Sequence, residues 1–168
     1  ASGQSNTRLW YDKPATVWTE ALPLGNGHLG AMVFGKVNDE LIQLNESNLW
    51  SGGPIKKNVN AGASKNLSEI RAALFQEKDY EKARKLTQKM QGLYSESYLP
   101  MGDITIHQDF DGAQASLYNR DLNIEDATTT TTFTVNSTTF KRQAFISAPD
   151  NVMVIRMSAD KKGQLNFD

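Results

Sequence analysis

Thr128-Thr-Thr-Thr-Thr132-Phe133-Thr-Val135-Asn136-Ser137-Thr-Thr-Phe140-Lys-Arg-Gln-Ala-Phe145 is the stretch whose reading decides the fold. Its β-branched residues suit a pleated surface better than a helix, so the threonine run reads as strand and not as low complexity. Asn136-Ser137 sits between the two halves as a hairpin turn, because short polar residues tolerate left-handed backbone. The same texture extends in both directions. Upstream, Ile104 and Ile106 alternate with Thr105 and His107, with Gln108 next in step. Downstream, Val152-Met153-Val154-Ile155 reads as a core strand, Asp160-Lys161-Lys162-Gly163 as a turn, and Leu165-Asn166-Phe167 as the start of another strand. Short strands separated by turn signals predict a mainly β fold, an antiparallel β-sandwich.

Two further zones precede this one. Up to Pro54 the chain is rich in glycine, tryptophan and short apolar runs. Leu29–Phe34, bounded by Gly27 and Gly35, and Leu41–Leu44 read as strands, with Asn38-Asp39 as the hairpin turn between them. Gly52-Gly53-Pro54 breaks the chain. Residues 64–91 carry helical spacing instead. Asn66 or Ser68 is placed to cap a first helix with Ile70, Ala73, Leu74 and Phe75 on its apolar stripe. Asp79 is placed to cap a second, with Tyr80, Ala83, Leu86 and Met90 on its stripe, a Glu81–Lys85 pair outside and Gly92 as its stop. The expectation is a sandwich with a short two-helix insertion and no internal repeat.

Composition narrows the class without naming a function. The chain has 168 residues, no cysteine, 39% hydrophobic residues, and 18 basic against 19 acidic residues for a net charge of −1. One domain of this size buries roughly 70% of the surface its unfolded chain exposes. Without cysteine there is no disulfide framework and no thiolate metal site. Near-neutral charge gives no electrostatic footprint for nucleic acid, and no apolar run approaches the roughly 20 residues of a membrane span. Ala1–Thr7 is small and polar and reads as a disordered tail.

Several motifs bear on chemistry. Gly25, Gly27 and Gly30 fit G-x-G-x-x-G, but the nucleotide fingerprint needs a strand before the glycines and a helix opening at them. Here Leu22-Pro23 precedes and a strand-like run follows, so a tight Gly-Asn-Gly turn is the better reading, with Gly30 allowing close backbone approach. Asn45, Glu46 and Trp50 form a loop cluster of amide, carboxylate and indole that could contact sugar or anchor its own loop. His28 and His107, the only histidines, lack paired metal-ligand spacing, so no metal and no cofactor is expected. Glu20, Glu46, Asp103 and Asp121 are the candidates for acid–base work, with no separation readable from sequence.

Taken together, Glu20-Ala-Leu-Pro-Leu-Gly-Asn-Gly-His-Leu-Gly-Ala-Met-Val-Phe-Gly35, Gln43-Leu-Asn-Glu46 and Leu49-Trp-Ser-Gly-Gly-Pro54 resemble the opening of glycoside hydrolase family 95, the α-L-fucosidases. Glu69-Ile-Arg71, Tyr80–Ala83, Leu99-Pro-Met-Gly-Asp-Ile104, Tyr118-Asn-Arg-Asp-Leu122 and Phe140-Lys-Arg-Gln-Ala-Phe-Ile-Ser147 follow in order, so the resemblance spans about residues 8–168. It implies an N-terminal β-sandwich (a supersandwich) at 8–168, truncated here, that precedes a helical linker and an (α/α)6 barrel. It also implies release of terminal α-1,2-linked L-fucose with inversion. The catalytic glutamic acid and the Asp with its Asn partners belong to the barrel, so no catalytic residue is carried over to this chain. The expected function is an accessory domain, inactive alone, whose fucosylated oligosaccharide is held by the catalytic domain. An independent carbohydrate-binding module is the alternative, with Trp10, Tyr11, Trp18, Trp50 and Tyr94 as aromatic surface, and a purely structural or oligomerisation domain is a third. The resemblance also implies a bacterial periplasmic or extracellular protein. An unfinished strand at the end of the chain predicts that the isolated chain dimerises or swaps strands.

Overall fold

The computed structural model describes residues 7–53, 59–92 and 96–168. The tail Ala1–Asn6, Pro54 and Tyr94 therefore lie outside the described residues. Two compact units are present, one made of Ala1–Leu49 with Leu99–Asp168 and one of Trp50–Tyr98.

The larger unit is mainly β, with two antiparallel sheets. The strands are β1 (Arg8–Tyr11), β2 (Leu22–Gly25), β3 (Leu29–Val33), β4 (Asp39–Glu46), β5 (Gly102–His107), β6 (Ser116–Asn123), β7 (Thr128–Val135), β8 (Thr138–Ser147) and β9 (Val152–Ala159). Five form one sheet in the order β1-β6-β7-β8-β9, and four form the other in the order β2-β3-β4-β5. The threonine run is strand β7, and its residues alternate between buried and half-buried, as period-two packing requires. Asn136 and Ser137 both take positive φ, +48° and +59°, which matches the twist of a tight two-residue hairpin.

Residues of one parity from both sheets meet in the core. Leu22, Leu24, Ala31, Val33 and Ile42 from the four-stranded sheet pack with Leu122 and Ala144 from the other. Phe110, Phe133 and Phe140 form a second cluster, with ring centroids 5.1–5.9 Å apart. The opposite face of the five-stranded sheet is polar along its middle, with Phe145, Val152 and Val154 exposed toward the β9 edge. Register places Trp10, Asp121, Thr130, Gln143 and Arg156 in one row across all five strands of that face.

Several sequence expectations are corrected here. The β3–β4 hairpin exists and bends at Val37 and Asn38, so Asn38 lies in the turn, but Asp39 is already the first residue of β4; Gly35, at φ +73°, opens the loop. Val152–Ile155 is not a core strand: β9 is an edge of its sheet, with Val152 and Val154 exposed and only Met153 and Ile155 packed on the core. Gly30 is not a point of forced approach, since an added Cβ would meet Asn45 and Leu24 only at 3.7–3.9 Å. The segment after Gly163 does not form a regular strand, though Asp168 and His107 exchange both backbone hydrogen bonds at 2.9 and 3.0 Å.

The smaller unit contains α1 (Leu67–Ala72), continued by a π-helical turn (Ala73–Glu77), and α2 (Tyr80–Met90). A 3-10 turn runs directly into α1, so Asn66 sits at its N-cap without making a side-chain cap. Asp79 does cap α2, accepting from Lys82 N–H at 2.9 Å. Ile70, Ala73, Ala83 and Leu86 are buried, whereas Phe75 and Tyr80 are exposed at 77% and 68%, off the buried stripe. The π-helical turn shifts the helical phase around Phe75. Glu81 pairs with Lys85 at 3.7 Å and with Arg84 at 2.7 Å, and Gln91 ends the helix in extended backbone just before Gly92.

Candidate functional site

The Gly-Asn-Gly segment is a tight turn, built by its central side chain. Asn26 Oδ1 accepts from the N–H groups of His28 and Leu29 at 2.9 and 2.8 Å, and Gly27 takes φ +93°. Its Nδ2 donates to Ser147 O and Asn151 Oδ1, both at 2.9 Å, tying the tip of β2–β3 to the end of β8.

Asn45 and Glu46 lie at the end of β4, whereas Trp50 begins the helical unit. Parity separates the first two: Asn45 pairs with Gly30 on one face of the sheet, and Glu46 pairs with Leu29 on the other. The Glu46 carboxylate turns back on its own loop, accepting from Asn48 N–H at 2.8 Å and Asn48 Nδ2 at 3.3 Å. Asn45 Oδ1 is shielded from solvent and has no hydrogen-bond partner among the described residues. Trp50 is half exposed and meets Tyr98 edge to face at 5.8 Å.

The other candidate carboxylates do not converge. Glu20 accepts from Thr16 N–H and hydroxyl at 2.8 and 3.0 Å, which lowers its pKa. Asp103 pairs with Gln43, on the opposite face of the sheet from Glu46. Asp121 is on the outer face of the other sheet, beside Arg8 at 3.3 Å. His28 is exposed, and His107 is bound to Asp39 at 2.6 Å. Among the described residues, no three His, Asp or Glu side chains gather as a metal site would require.

The densest polar chemistry in the molecule lies where sequence reading did not look. Glu40 is the inward residue at the start of β4, and its Oε1 accepts from the N–H groups of Gly35, Lys36 and Leu41 at 2.8, 3.3 and 3.1 Å. Arg142 enters from β8 in the other sheet. It lies 3.4 Å from Glu40, donates to Gln108 Oε1, and caps the carbonyls of Lys36 and Val37. Arg120 from β6 donates to the carbonyls of Lys13 and Glu20, both at 2.8 Å, and its guanidinium stacks 4.3 Å from the Tyr11 ring. Tyr118 donates its hydroxyl to Gly35 O. Burial pushes the Glu40 carboxyl up, while Arg142 and the backbone N–H groups pull it back; burial likewise pushes the Tyr118 hydroxyl up. These groups are largely buried and bonded to one another and to loop backbone, an arrangement that positions loops.

The signal for this network was present as parity. Arg120 stands two residues before the core residue Leu122, and Arg142 stands between Phe140 and Ala144, so strand alternation points both arginines inward. Both also fall inside motifs quoted above for the family resemblance.

Comparison with known proteins places this architecture. The chain is 35% identical over 165 residues to alpha-L-fucosidase 2 of Arabidopsis thaliana, covering 95% of this chain and 19% of that protein. It is 34% identical over 165 residues to the probable alpha-fucosidase A of Aspergillus niger, covering 90% of this chain and 20% of the relative. Against the probable alpha-fucosidase A of Aspergillus oryzae it is 31% identical over 160 residues, covering 90% and 21%. The chain thus spans about a fifth of the length of the curated relatives it matches. A family model described as "Glycosyl hydrolase family 65, N-terminal domain" matches residues 9–168, and to that family of glycosidase N-terminal domains this chain belongs.

Proposed function

We propose that this chain is the accessory β-sandwich domain of an exported bacterial glycoside hydrolase of the family 95 type. That enzyme would release terminal α-1,2-linked L-fucose with inversion, using carboxylates outside these residues. The observation that carries the proposal is the match to three proteins named as fucosidases, along only about a fifth of their length. The site geometry agrees with it: the inward carboxylate and arginines of this unit are spent on holding loops, and Glu46 on its own turn. Asn45, Glu46 and Trp50 enter the proposal as contacts to the rest of the enzyme or to its sugar.

The test compares this chain with the complete protein encoded by its reading frame, on 2′-fucosyllactose. The complete protein is expected to release fucose first as the β-anomer by NMR, and this chain alone to release none. Turnover by this chain alone, or a complete protein without fucose release, overturns the proposal. In the complete protein, Glu46→Ala and Trp50→Ala should lower the melting temperature before kcat; unchanged melting with lost turnover removes their role as domain contacts. Export is read from cell fractionation, where a cytosolic enzyme would refute it.

A second reading, an independent carbohydrate-binding module, is favoured by one observation: the indole of Trp10, on the polar outer face of the five-stranded sheet, is 64% exposed.

A further inference from the structure

Trp10 is an exposed indole that strand pairing fixes on a flat sheet face. It stands opposite Asp121, so both side chains project from the outer side of the five-stranded sheet. Asp121 is nearly covered and bonded to Arg8 at 3.3 Å. Burial pushes its carboxyl up, while the charges of Arg8 and Lys141 pull it back. Gln143 and Arg156 continue the row on β8 and β9. From Trp10 to Arg156 the row crosses four inter-strand spacings, roughly 19 Å.

We propose that this outer face is an oligosaccharide platform, with Trp10 as the stacking surface and Arg8, Lys141 and Gln143 as donors to sugar hydroxyls. It deepens the carbohydrate-binding reading above by giving that reading a place. The chemistry selects the occupant. A tryptophan face carries negative charge density and attracts the polarised C–H bonds on the flat side of a pyranose ring. Sugar hydroxyls need nearby donors and acceptors held in place, and Asp121 holds Arg8. A protein partner would instead require an apolar centre depleted of charge. Here Arg8, two residues along β1, and the Asp121 carboxylate lie beside the single indole, Lys141 stands three strands away on β8, and the apolar residues of this face, Phe145, Val152 and Val154, lie toward the opposite edge. The row is long enough for several sugar rings in line.

The test is a two-dimensional NMR titration of the 15N-labelled chain with 2′-fucosyllactose and, separately, lactose, at millimolar concentration. The three indole N–H signals, one per tryptophan, report which ring is touched. The expected result is movement of the Trp10 indole and of backbone amides in β1, β6 and β8. Trp10→Ala should weaken binding about tenfold and Gln143→Ala should weaken it less, both with unchanged melting. If neither sugar moves any signal, both this site and the binding-module reading fall. If shifts map to Trp18 or Trp50 while Trp10 stays still, the module reading stands and this site is overturned. Undiminished binding by Trp10→Ala also overturns it.

Discussion

Gly35 shows how much one residue without a side chain can organise. Its N–H donates to Glu40 and its carbonyl accepts from Tyr118. An added Cβ would come within 2.6 Å of the Tyr118 hydroxyl and 2.8 Å of Arg120 Cδ, at a φ that side chains already resist. Gly35 therefore opens the β3–β4 loop, which bends back at Val37 and Asn38, while Asp39 is drawn into β4. That reversal brings the Lys36 and Val37 carbonyls to Arg142, and Glu40 supplies the counter-charge. Removing one member of a buried ion pair leaves the other uncompensated. Arg142→Met is thus expected to cost about 3–5 kcal/mol in urea unfolding. Glu40→Gln keeps an acceptor for Gly35 N–H and should cost about 1–3 kcal/mol. A smaller loss for Arg142→Met than for Glu40→Gln would contradict the assignment of Arg142 as the residue joining the sheets. Sequence composition hid this network because arginine is normally a surface residue; only its parity in β6 and β8 betrays it.

Elements were legible where local chemistry and tertiary packing agree. The β7–β8 hairpin follows from β-branched residues on either side of Asn136-Ser137, and α2 from the Asp79 cap and its apolar spacing. They were misread where packing overrules local preference. Val152–Ile155 has the composition of a core strand but is paired on one side only, so half its residues face out. β2 contains Pro23 and still forms, because it is an edge strand and proline costs no ladder bond there. The β4–β5 pair adds a titrating contact: Asp39 and His107 are directly opposite, with Nδ1 and Oδ1 2.6 Å apart. Hydrogen bonding to Asp39, together with the charges of Asp39, Asp109 and Asp168, raises the His107 pKa. A raised histidine pKa stabilises the fold below the unfolded value of about 6.5, and that contribution is lost as pH rises through the folded value. Asp39→Asn should lower the His107 midpoint in an NMR titration and flatten the pH dependence of melting above pH ~6. An unchanged midpoint would show that the pair does not form in solution.

At the scale of the whole molecule, the mainly β class and the two-helix insertion were readable, and so was the relationship to fucosidases. The active-site question was not, because strand parity and sheet separate Glu46, Asp103 and Asp121 while Glu20 lies on a 3-10 turn. The open question at this scale is association. β9 presents eight residues of unpaired edge with Val152 and Val154 exposed beside it, and edges of this kind recruit a second strand. We expect this chain to form dimers in light scattering at high concentration, and Val154→Lys to return it to monomer. A monodisperse parent chain would reject that expectation.

The neck of the helical insertion has a consequence for how the fold is reached. Leu99 N–H donates to Leu49 O, and Met101 N–H to Leu44 O, so β4 and β5 pair across everything from Trp50 to Tyr98. Closing a loop of roughly fifty residues costs about 2 kcal/mol more in chain entropy than closing a turn of about four. The strands β6 to β9 are joined by short turns and bear no such cost. Strands β6 to β9 can zip from neighbour to neighbour along the chain; β4–β5 must first bring together segments about fifty residues apart, and β1–β6 segments about a hundred apart, so these two pairings are the entropically demanding steps of folding.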